Sequence, residues 1–179
     1  MRGLAVLRTR EPGGAKGAEL LRGLLLSGAI DWSAPAETLL HFAARAEHLE
    51  RSIRPAMAAG MWVICDRFTD STLAYQGHGQ GADRAMIETL TGLLGISPDL
   101  TLILDVSDDV AGDRLKRRAT RTDRYERLDV AFHRRVNDGF RTIAANNPHR
   151  CVTIAADGTV GEVHAAILAA VGSRIGLPV

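Results

Sequence analysis

Aromatic residues are nearly missing from this chain, at 4% of its 179 positions, so its core must rest on Leu, Ile, Val, Ala and Met. An excess of charge of either sign is missing too. Basic residues number 22 and acidic ones 21, and the resulting +1 gives no general attraction to nucleic acid or to a membrane surface. Any hold on a polyanion must come from local clustering. No apolar run approaches the roughly 18 residues of a membrane-spanning helix, and no charged-then-apolar leader with a small-residue cleavage site is recognisable. The two cysteines, Cys65 and Cys151, each sit inside a short apolar run. They read as buried thiols in a reducing compartment, not as a disulfide or a metal pair. These absences together predict a cytoplasmic protein that spans no membrane and binds no nucleic acid.

What is present is the make-up of an ordinary globular protein, 46% hydrophobic and 24% charged, long enough to bury a core without staples. Strand-like apolar runs cover Leu4 to Arg8, Met61 to Cys65, Asp99 to Val106 and Arg150 to Ala155. The second and third are continuous, as expected of strands buried on both faces of a parallel sheet. Helical spacing marks Ala18 to Leu26, Ala34 to Met57, Asp83 to Leu94, Asp108 to Arg118, Leu128 to Asn146 and Val160 to Val171. Pro55 predicts a kink or an early stop in the long second helix. Strands alternating with helices over the whole length imply one α/β domain, residues 1–179, with a parallel sheet flanked by helices.

In open parallel sheets ligands bind beyond the carboxyl ends of the strands. Three such ends carry polar clusters here: Thr9-Arg10-Glu11-Pro12-Gly13-Gly14, Asp66-Arg67-Phe68, and the segment opening at Asp105. Charges of both signs at these positions suit an anionic ligand with a divalent cation, or else solvated loop ends.

Thr9 to Gly14, then Ala43-Ala44-Arg45, then Asp66-Arg67-Phe68 followed by Asp70-Ser71-Thr72-Leu73-Ala74-Tyr75-Gln76-Gly77, resembles bacterial thymidylate kinase in order and spacing, and the similarity runs on to the last helix. The resemblance implies transfer of the ATP γ-phosphoryl group to dTMP, giving dTDP, with Mg²⁺ as cofactor. It also implies a three-layer, P-loop NTPase-like domain and a homodimer through the long helices. It assigns Arg67 to the acceptor phosphate and the group in transfer, a task that suits a planar guanidinium fork. Arg22 is the second phosphate arginine. Glu11 falls near the sugar 3′-hydroxyl, and Glu11 and Asp66 are the carboxylates that would position Mg²⁺ through water. Arg45 and Gln76 supply donors to thymine carbonyls, Thr72 faces the base and Tyr75 flanks the pocket. Where the family stacks a phenylalanine on thymine, this chain has His41 with Phe42 adjacent, and either ring could serve. Guanylate or adenylate specificity would conflict with the set Arg45, Thr72 and Gln76.

The basic run Lys116 to Arg124 has no interleaved aromatics, against an RNA-binding reading. The resemblance makes residues 115–127 the lid that closes over ATP, with Arg117, Arg118, Arg121 and Arg124 as candidates for neutralising the moving phosphoryl group, a contribution of roughly 10³–10⁵ in rate for arginine fingers. One expected part is missing. No G-x-x-x-x-G-K-[ST] occurs, and Gly13-Gly14-Ala15-Lys16-Gly17 has neither the G-K-[ST] nor the preceding glycine. The expectation is therefore a truncated family member whose first, central strand and ATP-phosphate loop are absent, with Met1-Arg2-Gly3 as the tail of the helix after that loop. Such a chain would have impaired kinase activity. The alternative is a non-catalytic remnant that keeps the dTMP pocket.

Overall fold

The computed structural model describes residues 3–117, 124–125 and 128–176. They fall into two compact units, Met1–Ile96 with Thr122–Val136, and Ser97–Arg121 with Asn137–Val179. Arg118 and Arg121, most of the expected lid, and Met1-Arg2 lie outside the described residues.

In the first unit β1 (Val6–Arg10) pairs in parallel with β2 (Trp62–Asp66), Val6 opposite Trp62 and Arg10 opposite Asp66. The two strands therefore finish side by side, and the amide of Glu11 donates to the Asp66 carbonyl at 2.9 Å to extend the pairing. Helices α1 (Lys16–Leu26) and α2 (Ala34–His48) follow β1 and pack on each other. A π-helical stretch, Leu49–Ile53, leads without interruption into α3 (Arg54–Ala58). Pro55 thus neither stops nor sharply ends the helix. The wide turn immediately before it absorbs the ring, which would otherwise press on the carbonyl four residues back.

After β2 the chain is helical over a stretch assigned above to neither helix nor strand: α4 (Thr69–Thr72) runs into a second π-helical stretch, Leu73–Gly79. Its glycines hid it. Gly79 does not serve a turn, because a Cβ there would stand 2.6 Å from Phe132 Cε2. Close packing demands it. Helix α5 (Arg84–Leu94) is capped by Asp83, whose carboxylate accepts from the Ala85 amide at 2.9 Å, and ends at the left-handed Gly95. Phe42, Ala82 and Ile87 form a core cluster with Ala34, Leu73, Leu90 and Leu94 against it.

In the second unit β3 (Thr101–Asp105) pairs in parallel with β4 (Cys151–Ala155). Helix α6 (Asp108–Arg117) follows β3, and α8 (Val160–Ile175) follows β4 and packs on it, opened by a Thr159–Glu162 capping box. Helix α7 (Val130–Asn146) begins in the first unit and ends in the second.

Parallel strands with helices on them are as expected, but burial on both faces is not. Along β2 exposure alternates, with Trp62 and Ile64 open to solvent and Ile64 60% exposed. Val6 on β1 and Leu104 on β3 are open as well. The described strands form two separate two-stranded sheets, and these apolar side chains on them stand open to solvent. No described helix is long and apolar enough to cross a membrane.

The two kinds of glycine separate by mutation. Gly79→Ala should destabilise by about 1–3 kcal/mol through crowding against Phe132 and Val136. Gly92→Ala, in α5 with open space around its Cβ, should stabilise by up to about 1 kcal/mol. Urea unfolding of the two variants gives opposite signs if the packing is as described.

Candidate functional site

The turn after β1 is built to bring Glu11 inward. Glu11-Pro12 is a cis peptide, and Gly13 and Gly14 take φ of 137° and 80°. At Gly14 only hydrogen fits, because a Cβ would meet His48 Nε2 at 2.3 Å and Thr9 Oγ1 at 2.4 Å. Arg22 on α1 donates to the Pro12 carbonyl at 2.7 Å and Ser52 to the Gly14 carbonyl at 2.7 Å, so the turn is clamped from two helices.

Glu11, 4% exposed, meets a polar stripe along α2. Arg45 Nε donates to its Oε2 at 2.6 Å, and His48 Nδ1 donates to its Oε1 at 3.1 Å. His48 Nε2 lies 2.7 Å from Thr9 Oγ1. The rest of the Arg45 guanidinium is held by Thr72 Oγ1, which accepts from Nη2 at 3.0 Å, and by the rings of Phe42 and Phe68 at 4.8 and 5.3 Å. Arg45 Nη1 is buried with no hydrogen-bond partner among the described residues. An orphaned donor on a buried cation costs about 1–3 kcal/mol, which a ligand acceptor would recover.

At the end of β2, Asp66 and Arg67 are exposed. Arg67 holds a left-handed backbone, φ 66°, strain of about 1–3 kcal/mol of the kind that gathers at functional sites. Its guanidinium lies 4.7 Å from the centre of the Tyr75 ring. Tyr75 in turn packs edge-on against Tyr125 and Phe132. Beside Arg67, the Cys65 thiol donates to the Arg67 carbonyl at 3.1 Å. Burial first, and then the Glu11 and Asp66 carboxylates, push that thiol up to about 12. Cys65, Glu11 and His48 bring potential metal-binding atoms within 4.8 Å, yet the Arg45 guanidinium already occupies the carboxylate and both imidazole nitrogens are engaged. This cluster is an ion-pair core, not a cation site.

A second stretch of the same stripe holds Arg124 and Tyr125. Glu37, fully buried, accepts from Tyr125 Oη at 2.8 Å, Gln76 Nε2 at 2.9 Å, Gln80 Nε2 at 2.7 Å and Arg124 Nη1. Burial alone would raise its pKa; these donors, with the Arg124 charge, hold it below the ordinary carboxylate value. Arg124 also donates to Asp31 at 3.1 Å. His41 Nε2 lies 2.9 Å from the Tyr125 hydroxyl, and burial, followed by the Arg45 charge, pushes the imidazole down to about 4.

The structure thus brings Glu11, Arg45, Thr72, Asp66 and Arg67 to one pair of strand ends, and His41, Gln76 and Tyr75 to the aromatic group around Tyr125. Both rings are buried: Phe42 packs in the core cluster and against the Arg45 guanidinium, and His41 against Tyr125. Arg124 is turned onto two carboxylates. The third strand end, Asp105, belongs to the second unit, where Arg141 pairs it at 3.2 Å. Sequence reasoning missed Glu37, His48 and Tyr125. The signal for the first two was available: Glu37, His41, Arg45 and His48 recur at helical spacing among the apolar residues of one helix face, a polar stripe too regular for a solvated face.

His41 gives a pH test. In the folded chain its pKa lies below the ordinary value, so unfolded chains bind the extra proton as pH falls from about 6.5 toward 4 and stability drops through that window. NMR should find the His41 ring neutral between pH 8 and 5. His41→Phe should flatten the corresponding part of a stability-versus-pH curve.

A family model described as thymidylate kinase matches residues 1–167. The chain is 51% identical over 178 residues to the thymidylate kinase of Rhizorhabdus wittichii, covering 97% of this chain and 86% of that relative. Against the thymidylate kinase of Chromohalobacter salexigens the figures are 48%, 97% and 84%. The crystal structure of thymidylate kinase from Ehrlichia chaffeensis is similar with a TM-score of 0.76 at 38% identity, covering 93% of this chain and 79% of that one. Identity of this order over nearly the whole chain, on top of the shared α/β fold, makes the chain a member of the thymidylate kinase family of phosphotransferases.

Proposed function

We propose that this chain binds dTMP at the paired ends of β1 and β2 and serves the reaction ATP + dTMP → ADP + dTDP. The observation that carries the reading is Arg45: a buried guanidinium fixed on three sides, with Nη1 left for an acceptor such as a pyrimidine carbonyl oxygen. His41, packed against Tyr125, is the ring that lies over the base, and Thr72 and Gln76 border it. Arg67, directly after β2, grips the acceptor phosphate, and Arg22 on α1 is the second phosphate arginine.

For the cation, the donor chemistry divides the two acidic candidates. Asp66 is an exposed carboxylate that suits Mg²⁺ held through water. Glu11 is spent on Arg45 and His48, and its role is to fix the base-reading guanidinium. Mg²⁺, when bound, supplies charge neutralisation between two polyanions. Arg124, anchored to Glu37 and Asp31, acts as a hinge post for the lid, so phosphoryl neutralisation falls to Arg117, Arg118 or Arg121. Exposed Leu20, Leu24 and Leu39 on α1 and α2 suit a homodimer through these helices.

We infer further that these 179 residues lack the ATP-phosphate loop, and that turnover by this chain is low. Three observations support it: no G-x-x-x-x-G-K-[ST] occurs, the described strands form two separate sheets, and Val6, Trp62, Ile64 and Leu104 stand exposed on them. A loop of that kind supplies the amides and lysine that hold the β- and γ-phosphates. The second reading, a nucleotide-binding remnant, rests on the same observations.

Two measurements test these inferences. Calorimetry should find dTMP binding, weakened about tenfold or more in Arg67→Lys, which cannot reproduce the two-pronged phosphate contact. An assay of ADP formation should give little turnover. Kinase-like turnover would overturn the loop inference, and absence of dTMP binding would overturn the site.

A further inference from the structure

The buried Glu37 carboxylate accepts four side-chain hydrogen bonds, and the one lid candidate among its donors, Arg124, is the residue read above as an anchor. Three uncharged donors converge on its Oε1: Tyr125 Oη, Gln76 Nε2 and Gln80 Nε2, at 2.8, 2.9 and 2.7 Å. Arg124 takes Oε2. A carboxylate can only accept, so its presence dictates the polarity of every group around it. The Tyr125 proton must point to Glu37. The Tyr125 oxygen is then left to accept, from Gln76 Nε2 at 3.2 Å and from the Nε2 proton of neutral His41 at 2.9 Å. Gln76 has no choice of orientation: its amide nitrogen gives its two protons to Glu37 and Tyr125, which turns its carbonyl oxygen away from both.

This bears on what the pocket can read. Gln76 stands one turn after Thr72, the residue that holds Arg45 Nη2. Arg45 offers a free donor in Nη1, and Gln76, nitrogen turned away, offers an acceptor. We propose that Glu37 is a specificity-determining positioning residue, which locks Gln76 with its carbonyl oxygen toward the base so that the pocket presents one donor and one acceptor. That pair matches a pyrimidine with an oxygen at C4 and a proton on N3, as in thymine or uracil. It opposes cytosine, whose C4 amine would face the Arg45 donor and whose bare N3 would face the Gln76 oxygen. The reading rests on the dTMP site proposed above. It changes the role of Gln76 from donor to acceptor.

The test uses the full chain and measures dissociation constants of dTMP and dCMP by calorimetry. The unaltered chain should prefer dTMP. Glu37→Gln keeps the shape but can donate, so the Gln76 amide is free to turn over; the preference should fall at least tenfold, mostly by loss of dTMP affinity, and Glu37→Asp should recover part of it. A purely structural role would lower melting temperature and weaken both nucleotides alike. If Glu37→Gln does not fold, Gln76→Glu provides a separate readout. Only a protonated Glu at 76 can donate to Glu37 while turning an oxygen to the base, so dTMP affinity relative to the unaltered chain should recover as pH falls from 8 to 6. Equal discrimination in Glu37→Gln, or a flat relative pH profile in Gln76→Glu, overturns the role of Glu37 while leaving the dTMP site standing. Failure of the unaltered chain to bind dTMP overturns both.

Discussion

The first unit depends on one buried ion pair, Glu11 with Arg45 at 2.6 Å. Both partners are nearly inaccessible to water, so each would be intolerable alone: removal of one partner from such a pair typically costs about 3–5 kcal/mol. The pair is not a stability device by preference, since apolar residues of similar volume would serve as well. Its value lies in placement. Glu11 belongs to the end of β1 and Arg45 to the middle of α2, so their contact sets where the long helix lies relative to the paired strand ends. Gly14 tightens the same joint by letting His48 and Thr9 close over the turn.

Everything else in the site inherits that placement. Because Arg45 is fixed, Thr72 and Phe68 have a defined partner, and the helical segment after β2 is held against α2. Because α2 is fixed, its next polar residues toward the N-terminus, His41 and Glu37, meet Tyr125, Gln76 and Gln80. One helix face thus carries two charge-organised centres, a guanidinium at one and a carboxylate at the other, each dictating the hydrogen-bond direction of its neighbours. Electrostatic preorganisation of this kind lets a pocket distinguish nucleotides by proton pattern and not by size alone.

The parts legible in the sequence were those written as local patterns. Strand runs ending in charged residues located β1 to β4 within a residue or two, and the blocks around Glu11, Arg45 and Arg67 located the joint between them. Illegible parts were those that only tertiary contact decides. The stretch Leu73–Gly79 was assigned to no helix in the sequence, and the need for glycine at 79 is set by Phe132 and Val136, which leave no room there for a methyl group. The apolar continuity of β2 implied two covered faces, but continuity does not record whether a covering element is there. Glu37 was overlooked because a lone acid in a helix is ordinarily solvated, and its donors come from positions 76, 80, 124 and 125, far along the chain.

The thiol beside Arg67 has a chemical consequence of its own. Thiolate, not thiol, is what attacks electrophiles and peroxides, and at cellular pH Cys65 is almost entirely in the unreactive form. Its sulfur proton is committed to the very carbonyl that precedes Phe68. The end of β2 is therefore shielded from alkylation and oxidative damage, by burial first and then by the Glu11 and Asp66 carboxylates beside it.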